Sequence, residues 1–314
     1  MDDILIFGSN LHVINDVKSF LCSNFEMKDL GVVDVILGIK LIKYHDGIVL
    51  TQSHYIEKLL RKFNYFDVKP VSTSFDSSIK LKKNIGESVS PLKYSQITGS
   101  LLHLSNFSRS DIAYVIGRLG RYTHNPDHLH WLTLERLFRY LKGTINYGIH
   151  YAYYHVVVKG FSDVNWIFDS DETKSTSGYV FTLTRGAVAW KSAKQTISRF
   201  TMEAEIIALD TTSSETGFLK NLLYDLPLLN KPIPPISMHC DSQVAIAKVT
   251  SKNFNEKRRH LRIRHKSIRN LITHCIISVD FIRFKSNLAD PLTKGLTRQQ
   301  VLESSREMGL KSIN

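Results

Sequence analysis

Four acidic residues in the second half of the chain are placed where they could act together. Asp163 follows a predicted strand, and Glu205 lies on a predicted long helix. Asp241 follows a second strand, and Asp290 opens the last helical segment. Carboxylates gathered from separate elements onto one end of a sheet are what a pair of hard divalent cations requires. Two such ions about 4 Å apart can activate an attacking water and stabilise a leaving oxygen.

Three of these acids also have a purely structural explanation. Asp163 could simply begin the turn that follows its strand. Asp241 precedes a serine and Asp290 precedes a proline, so each could be the N-cap of a helix. The sequence leaves both explanations open for each residue taken singly.

Glu205 is harder to explain as a structural residue. At 100° per residue it falls between Ala208 and Leu209, inside the apolar arc of its helix, whereas Glu203 falls beside Asp210 on the polar side. An acid on the buried stripe of a helix is unusual unless something pairs with it. Helix geometry therefore predicts Glu205, and not Glu203, as the inward carboxylate.

A second feature is the basic stretch at residues 257–269, where seven of thirteen residues are Lys or Arg. Leu261, Ile268 and Leu271 give it one apolar seam on which it can dock while it presents cations outward. The whole chain carries a net charge of +12, which favours a polyanionic partner because neutralised phosphates release counterions. The alternative is a solvated charged face. The predicted nucleic-acid contacts are Lys257, Arg258, Arg259, His260, Arg262, Arg264 and Lys266.

Hydrophobic patterning predicts the elements that must position these residues. Residues 4–7 indicate a buried strand, residues 32–51 a hairpin, residues 67–87 a linker and residues 93–142 packed helices. From residue 156 onward the predicted order is β-β-β-α-β-α-α-β-α, which is typical of an α/β (α+β) fold. We predict three parts, at residues 1–85, 86–150 and 151–314.

Composition excludes several classes of protein. The three cysteines, Cys22, Cys240 and Cys275, have no metal-ligand spacing, and their odd number argues against a disulfide framework. No apolar run approaches the roughly 18 residues of a membrane span, so we expect no membrane partner. The acidic N-terminus predicts neither a signal nor a transit peptide.

Short motifs run along nearly the whole chain in a fixed order. In the first half they lie at residues 1–7, 25–31, 37–39, 69–73, 99–102, 109–114 and 139–144. In the second half they lie at residues 161–163, 174–181, 190–192, 203–205, 240–241 and 288–296. With these motifs the chain resembles the C-terminal part of the Pol polyprotein of copia-type LTR retrotransposons, especially those of plants.

The resemblance implies a ribonuclease H-like five-stranded mixed sheet flanked by helices. It also implies that a truncated reverse-transcriptase palm/thumb remnant and a helical connection precede that domain. Asp163, Glu205, Asp241 and Asp290 would be its catalytic, metal-binding carboxylates, with two Mg²⁺ or Mn²⁺ ions as cofactor. The implied reaction is endonucleolytic hydrolysis of the RNA strand of RNA–DNA hybrids.

The resemblance also bears on polymerisation. Asp2 and Asp3 match two of the three polymerase carboxylates, and the third lies upstream in the family, so we expect no DNA synthesis from this chain. Arg199, Phe200, Arg262 and Lys266 depart from the family pattern and affect substrate handling and proton transfer rather than a metal ligand.

Other functions stay open at this point. The main alternative is a catalytically silent nucleic-acid-binding remnant of a degenerate element. A third hypothesis is an integrase-like strand transferase. The sequence argues against it, because it has no Asp-Asp-Glu pattern with its own zinc-binding region. The resemblance further implies association with other Pol or Gag products. It implies a cytoplasmic location in virus-like particles, with the nucleus as the alternative.

Overall fold

The computed structural model describes most of the chain, which forms one antiparallel sheet, one mixed sheet and the helices that pack on them. The described residues are 4–6, 8, 10–152, 157–166, 175–196, 198, 200–226, 231–252 and 259–313. Asp2, Asp3, Lys257 and Arg258 lie outside them. Among the described residues, every helix is too short or too polar to cross a membrane.

The first half forms an antiparallel sheet and a group of helices. The sheet has the order β1-β2-β3-β4-β10, and its β2–β3 hairpin confirms the predicted one. In this half the elements are α1 (Leu11–Asn24), β1 (Val35–Ile36), β2 (Ile39–Tyr44), β3 (Gly47–Thr51), α2 (Ser53–Lys62), α3 (Pro91–Phe107), α4 (Ala113–Leu119), α5 (His128–Gly143) and β4 (Tyr147–Ala152). The last strand of the chain, β10 (Leu310–Ser312), completes the sheet.

Helices α2 to α5 enclose one apolar core, because each contributes buried apolar side chains, and side chains cap the starts of α3 and α5. Ser90 accepts a hydrogen bond from the Lys93 amide at the start of α3, where Pro91 takes the first helical position. The start of α5 has a reciprocal capping box between Asp127 and His130. Leucine and isoleucine side chains from all four helices fill the core between them.

The second half forms the mixed sheet. Its strands have the order β7-β6-β5-β8-β9, with β5 antiparallel to β6 and parallel to β8. This arrangement, with helices packed on it, is the predicted ribonuclease H-like sheet, so the fold class is confirmed. The elements are β5 (Val158–Asn165), β6 (Thr176–Leu183), β7 (Gly186–Lys194), α6 (Thr201–Asp225), β8 (Ile236–Cys240), α7 (Gln243–Thr250), α8 (Arg259–Thr273), β9 (Ile277–Phe281) and α9 (Arg298–Glu307).

The two halves share hydrogen bonds. The Trp190 indole on β7 donates to the Ser105 carbonyl on α3 at 2.8 Å, and the Tyr151 hydroxyl on β4 donates to the Ala187 carbonyl at 2.5 Å. Strand β10 pairs with β4 although it follows the whole mixed sheet in sequence. The segment predicted as one unit, residues 151–314, therefore contributes its last strand to the other sheet.

Two sequence-based expectations about the first half need correction. Residues 4–6 form no strand, and Ile4 is 58% exposed; Phe7 lies outside the described residues. The linker predicted at residues 67–87 is irregular, as expected, but it is not a free tether. Phe75 and Leu81 are buried in the helical core, because they cover apolar surface that the short helices leave open.

Candidate active site

Parallel pairing between β5 and β8 places two of the predicted acids at the same end of the mixed sheet. Asp163 lies near the end of β5, and Asp241 directly follows β8. Glu205 lies in the second turn of α6, which packs on β5. Asp290 begins a short 3-10 turn that approaches β5 and β6. The structure therefore brings these four residues, here called the acidic cluster, to one place.

The pKa values of the acidic cluster show that its members repel each other. Burial, together with the charges of Asp163 and Asp241, raises the pKa of Glu205 to about 9. Burial raises the pKa of Asp290 to about 6, and the same two aspartates contribute to the increase. Burial raises the pKa of Asp163 and of Asp241, the latter also through the charge of Asp163. Asp163 is only 3% exposed and Glu205 6% exposed, so water screens this repulsion poorly.

Residues after β9 hold the acidic cluster in place. The Thr293 hydroxyl donates to a carboxylate oxygen of Asp163, and the Lys294 ammonium forms an ion pair with Asp290. Asn287 donates to the Ser162 carbonyl at 3.0 Å. The side chain of Asn287 also lowers the pKa of Asp241 through a hydrogen bond. Sequence reasoning gave these three residues no role, although Thr293 and Lys294 belong to the motif at residues 288–296.

Gly178 explains how that segment can approach the sheet so closely. It lies opposite Asp163 in the β5–β6 register. A Cβ atom at Gly178 would lie 2.6 Å from the Leu292 Cβ, closer than side chains tolerate. Glycine is therefore required here for the segment that carries Asp290 to pack against β6. The sequence signal was a glycine inside a strand pattern, which often marks close approach by other backbone.

Cys240 lies beside the acidic cluster, but its thiol is a poor ligand for a hard cation. Its Sγ lies 4.0 Å from Oε2 of Glu205, and the two residues together with Asp241 could surround an ion. Burial and the charge of Glu205 raise the pKa of the Cys240 thiol to about 12, so the sulfur stays protonated. Hard divalent cations prefer oxygen ligands. The oxygen donors of the acidic cluster therefore fit Mg²⁺ or Mn²⁺, and a cation there would relieve their mutual repulsion.

The basic helix α8 lies against α6, which carries Glu205. His260 Nε2 lies 2.7 Å from Oε1 of Glu203, and Arg264 donates to Oδ2 of Asp210 at 2.6 Å. Glu203 is only 3% exposed, so the expectation that it lies on a polar face was wrong. The cause is the packing of α8, which covers that side of α6. Both acids of the pair are therefore buried, and the charges of Asp163 and Asp241 contribute to the raised pKa of Glu205.

The predicted nucleic-acid contacts divide into three groups in the structure. The side chains of His260 and Arg264 are engaged with carboxylates of α6. Arg259, Arg262 and Lys266 are exposed on the opposite side of α8. Lys257 and Arg258 lie outside the described residues. Contact with nucleic acid stays a prediction for all of them, and catalysis stays a prediction for the acidic cluster.

The strand order and the position of the acidic cluster define the class of protein as one containing a ribonuclease H-like domain. The profile of the family described as reverse transcriptase (RNA-dependent DNA polymerase) matches residues 1–76. The chain belongs to the Pol polyproteins of copia-type LTR retrotransposons, as the motifs predicted.

The relatives that match nearly the whole chain are larger proteins. It is 33% identical over 322 residues to the retrovirus-related Pol polyprotein from transposon TNT 1-94 of Nicotiana tabacum, covering 99% of this chain and 24% of the relative. It is 32% identical over 316 residues to the corresponding polyprotein from transposon RE2 of Arabidopsis thaliana, covering 100% of this chain and 22% of the relative. The chain thus spans less than a quarter of these relatives' length.

The ribonuclease H1 of Halobacterium salinarum overlaps 46% of this chain and 97% of its own, with a TM-score of 0.33 and 18% identity. A TM-score this low leaves the assignment of the fold to the strand order itself.

Proposed function

We propose that this chain hydrolyses the RNA strand of RNA–DNA hybrids in a divalent-metal-dependent reaction, as the ribonuclease H part of a retrotransposon reverse transcriptase. The observation that supports the proposal is the acidic cluster itself. Burial raises the pKa of all four carboxyls, and the charges of Asp163 and Asp241 add to the rise at their neighbours, so the cluster is costly to fold unless a cation neutralises it.

Each member of the site has a distinct part in the proposed reaction. Asp163, Glu205, Asp241 and Asp290 would hold the metal. Divalent ions in such a site supply an activated water and neutralise charge on the leaving oxygen. Thr293 orients the Asp163 carboxylate through its hydrogen bond, which leaves the remaining lone pairs of Asp163 available to a cation.

The outward face of α8 is the proposed contact with the hybrid. Arg259, Arg262 and Lys266 are spaced by three and four residues, so they form one stripe along the helix. The contacts of His260 and Arg264 with carboxylates of α6 hold α8 against α6. Because Glu205 lies on α6, the stripe stays at a fixed position relative to Glu205. A fixed distance between phosphate contacts and metal ligands is what selects the scissile phosphate in a helical substrate.

The experiment is cleavage of a labelled RNA–DNA hybrid by the full chain with Mg²⁺ or Mn²⁺. The full chain is needed because strand β10 lies in the first sheet. We expect Asp241→Asn to lower the cleavage rate by at least about a hundred-fold. Loss of a residue that only supports a metal ligand costs up to about that much, and Asp241 is proposed as a ligand itself. Asp225→Asn, at the exposed end of α6, is the matched control and should cleave like the wild type.

The same assay separates this proposal from a silent nucleic-acid-binding remnant. A wild-type chain that binds the hybrid, with affinity falling steeply as salt increases, but forms no product with either metal would exclude the hydrolase and support the remnant. Arg262 and Lys266, which depart from the family pattern, add positive charge to the exposed face of α8. They therefore favour binding of nucleic acid whether the chain is a hydrolase or a silent remnant.

A further inference from the structure

Lys294 lies within the acidic cluster and has no part in the reaction proposed above. Its ammonium forms an ion pair with Asp290 and lies 3.8 Å from the centre of the Phe284 ring. Burial raises the pKa of Asp163 and of Asp241, and the charge of Lys294 partly offsets that rise at both. One ammonium thus acts on three of the four carboxyls.

The backbone keeps this ammonium in position. The neighbouring Thr293 is fully buried, and its hydroxyl donates to Asp163 while it also lies 3.0 Å from the Asp290 carbonyl oxygen. Leu292 packs against Gly178 of β6 in van der Waals contact. The residues that precede Lys294 are therefore fixed to the sheet, and the side chain extends from an anchored point.

The Lys294 ammonium should weaken the binding of a divalent ion beside Asp290. The ammonium supplies one positive charge where a divalent ion would supply two, and it uses an oxygen of Asp290 that such an ion would need. Positive charges a few ångströms apart in a poorly screened site repel each other strongly. Glu205 and Asp241, by contrast, lie close enough together to share one ion, with Lys294 paired elsewhere.

We propose that Lys294 is a built-in counter-cation that competes with the divalent ion at Asp290, so that the acidic cluster binds one ion tightly and the other weakly. This inference rests on the proposed metal-dependent function and concerns how the same site is filled. Lys294 is a positioning residue in this scheme, because it acts on ions and carboxylates and not on the RNA.

The experiment is a calorimetric titration of Mn²⁺ into the metal-free full chain. We expect two unequal binding events for the wild type. Lys294→Met should tighten the weaker one by about ten-fold, which corresponds to the loss of one charge-assisted contact. Lys294→Arg retains the charge and should behave as the wild type. Lys285→Met removes an exposed lysine from the preceding 3-10 turn and serves as the matched control.

A second measurement covers the case in which Lys294→Met folds poorly. The rise in denaturation midpoint on adding Mn²⁺ should be larger for Lys294→Gln than for the wild type, because the metal-free variant has lost its counter-cation. Equal or weaker Mn²⁺ binding by Lys294→Met and Lys294→Gln, beside a wild type that does bind, would overturn this inference alone. A wild type that binds no Mn²⁺ and cleaves no hybrid would overturn the proposed function first.

Discussion

Replacing Glu205 by glutamine should stabilise the metal-free chain, and by an amount that depends on pH. Glu205 is 6% exposed, and its pKa rises from 4.5 to about 9 on folding. A carboxyl with a raised pKa contributes stability that is complete below its unfolded pKa of 4.5 and is lost as the pH rises toward 9. Glutamine is nearly isosteric with the protonated acid and does not ionise, so it avoids that loss.

The magnitude follows from the two pKa values. A pH of 8 is 3.5 units above the unfolded pKa of 4.5. At 1.36 kcal/mol per unit, the raised pKa of Glu205 lowers the unfolding free energy by at most about 5 kcal/mol. At pH 5 the same reasoning gives a ceiling of about 1 kcal/mol. Because Asp163 and Asp241 share the repulsion, we expect roughly half of the difference, about 2 kcal/mol, to be observed.

The assay is urea denaturation in the presence of a chelator at pH 5 and pH 8. Glu307→Gln, on the exposed last turn of α9, is the control and should change neither value. An equal change in unfolding free energy at both pH values for Glu205→Gln would refute the reasoning, because it would mean that the side chain is not a strained carboxyl. Saturating Mn²⁺ should reverse the order of stability, since the variant has lost a ligand.

Three further outcomes follow from the packing. Arg109→Met should lower the unfolding free energy by about 3–5 kcal/mol in urea, because the buried Arg109 guanidinium is paired with Asp111 and its loss leaves that carboxylate with the Tyr140 hydroxyl but without a counter-charge; a cost near zero would show that the pair is dispensable. Arg262→Ala should weaken hybrid binding and reduce the salt dependence by about one phosphate contact without loss of stability, whereas Arg264→Ala should lower stability first; filter binding and denaturation would distinguish them, and identical effects would contradict the division of α8 into two faces. Removal of residues 310–314 should cost about 2 kcal/mol in thermal denaturation, because Leu310 is fully buried and β4 loses one of its two pairing partners; an unchanged midpoint would show that β10 contributes nothing.

Much of the second half could be predicted from the amino-acid sequence, because its elements are marked by local signals. The order of strands and helices follows from hydrophobic period, and the angle of Glu205 on α6 correctly predicted that this acid is buried. The motif order was sufficient to predict the family. All of these depend on residues close together in the chain, where periodicity and turn chemistry operate.

The remaining features depend on contacts between distant residues, which no local pattern encodes. Glu203 was assigned to a polar face because its helix was considered alone; α8, more than fifty residues later, covers it. The same packing decides which side chains of α8 pair with carboxylates, since His260 and Arg264 lie on the side that meets α6.

The domain arrangement shows the same limit most clearly. Strand β10 has only three residues, too few for a periodic signal, and it pairs with β4 from about 160 positions earlier. Lys294 likewise is an ordinary exposed lysine by pattern, and only the return of its segment to β5 and β6 brings it to Asp290 and Asp163. Local sequence determined which elements form and which acids they carry; packing between distant elements decided which charges meet, because electrostatic energy depends on separation in space rather than along the chain.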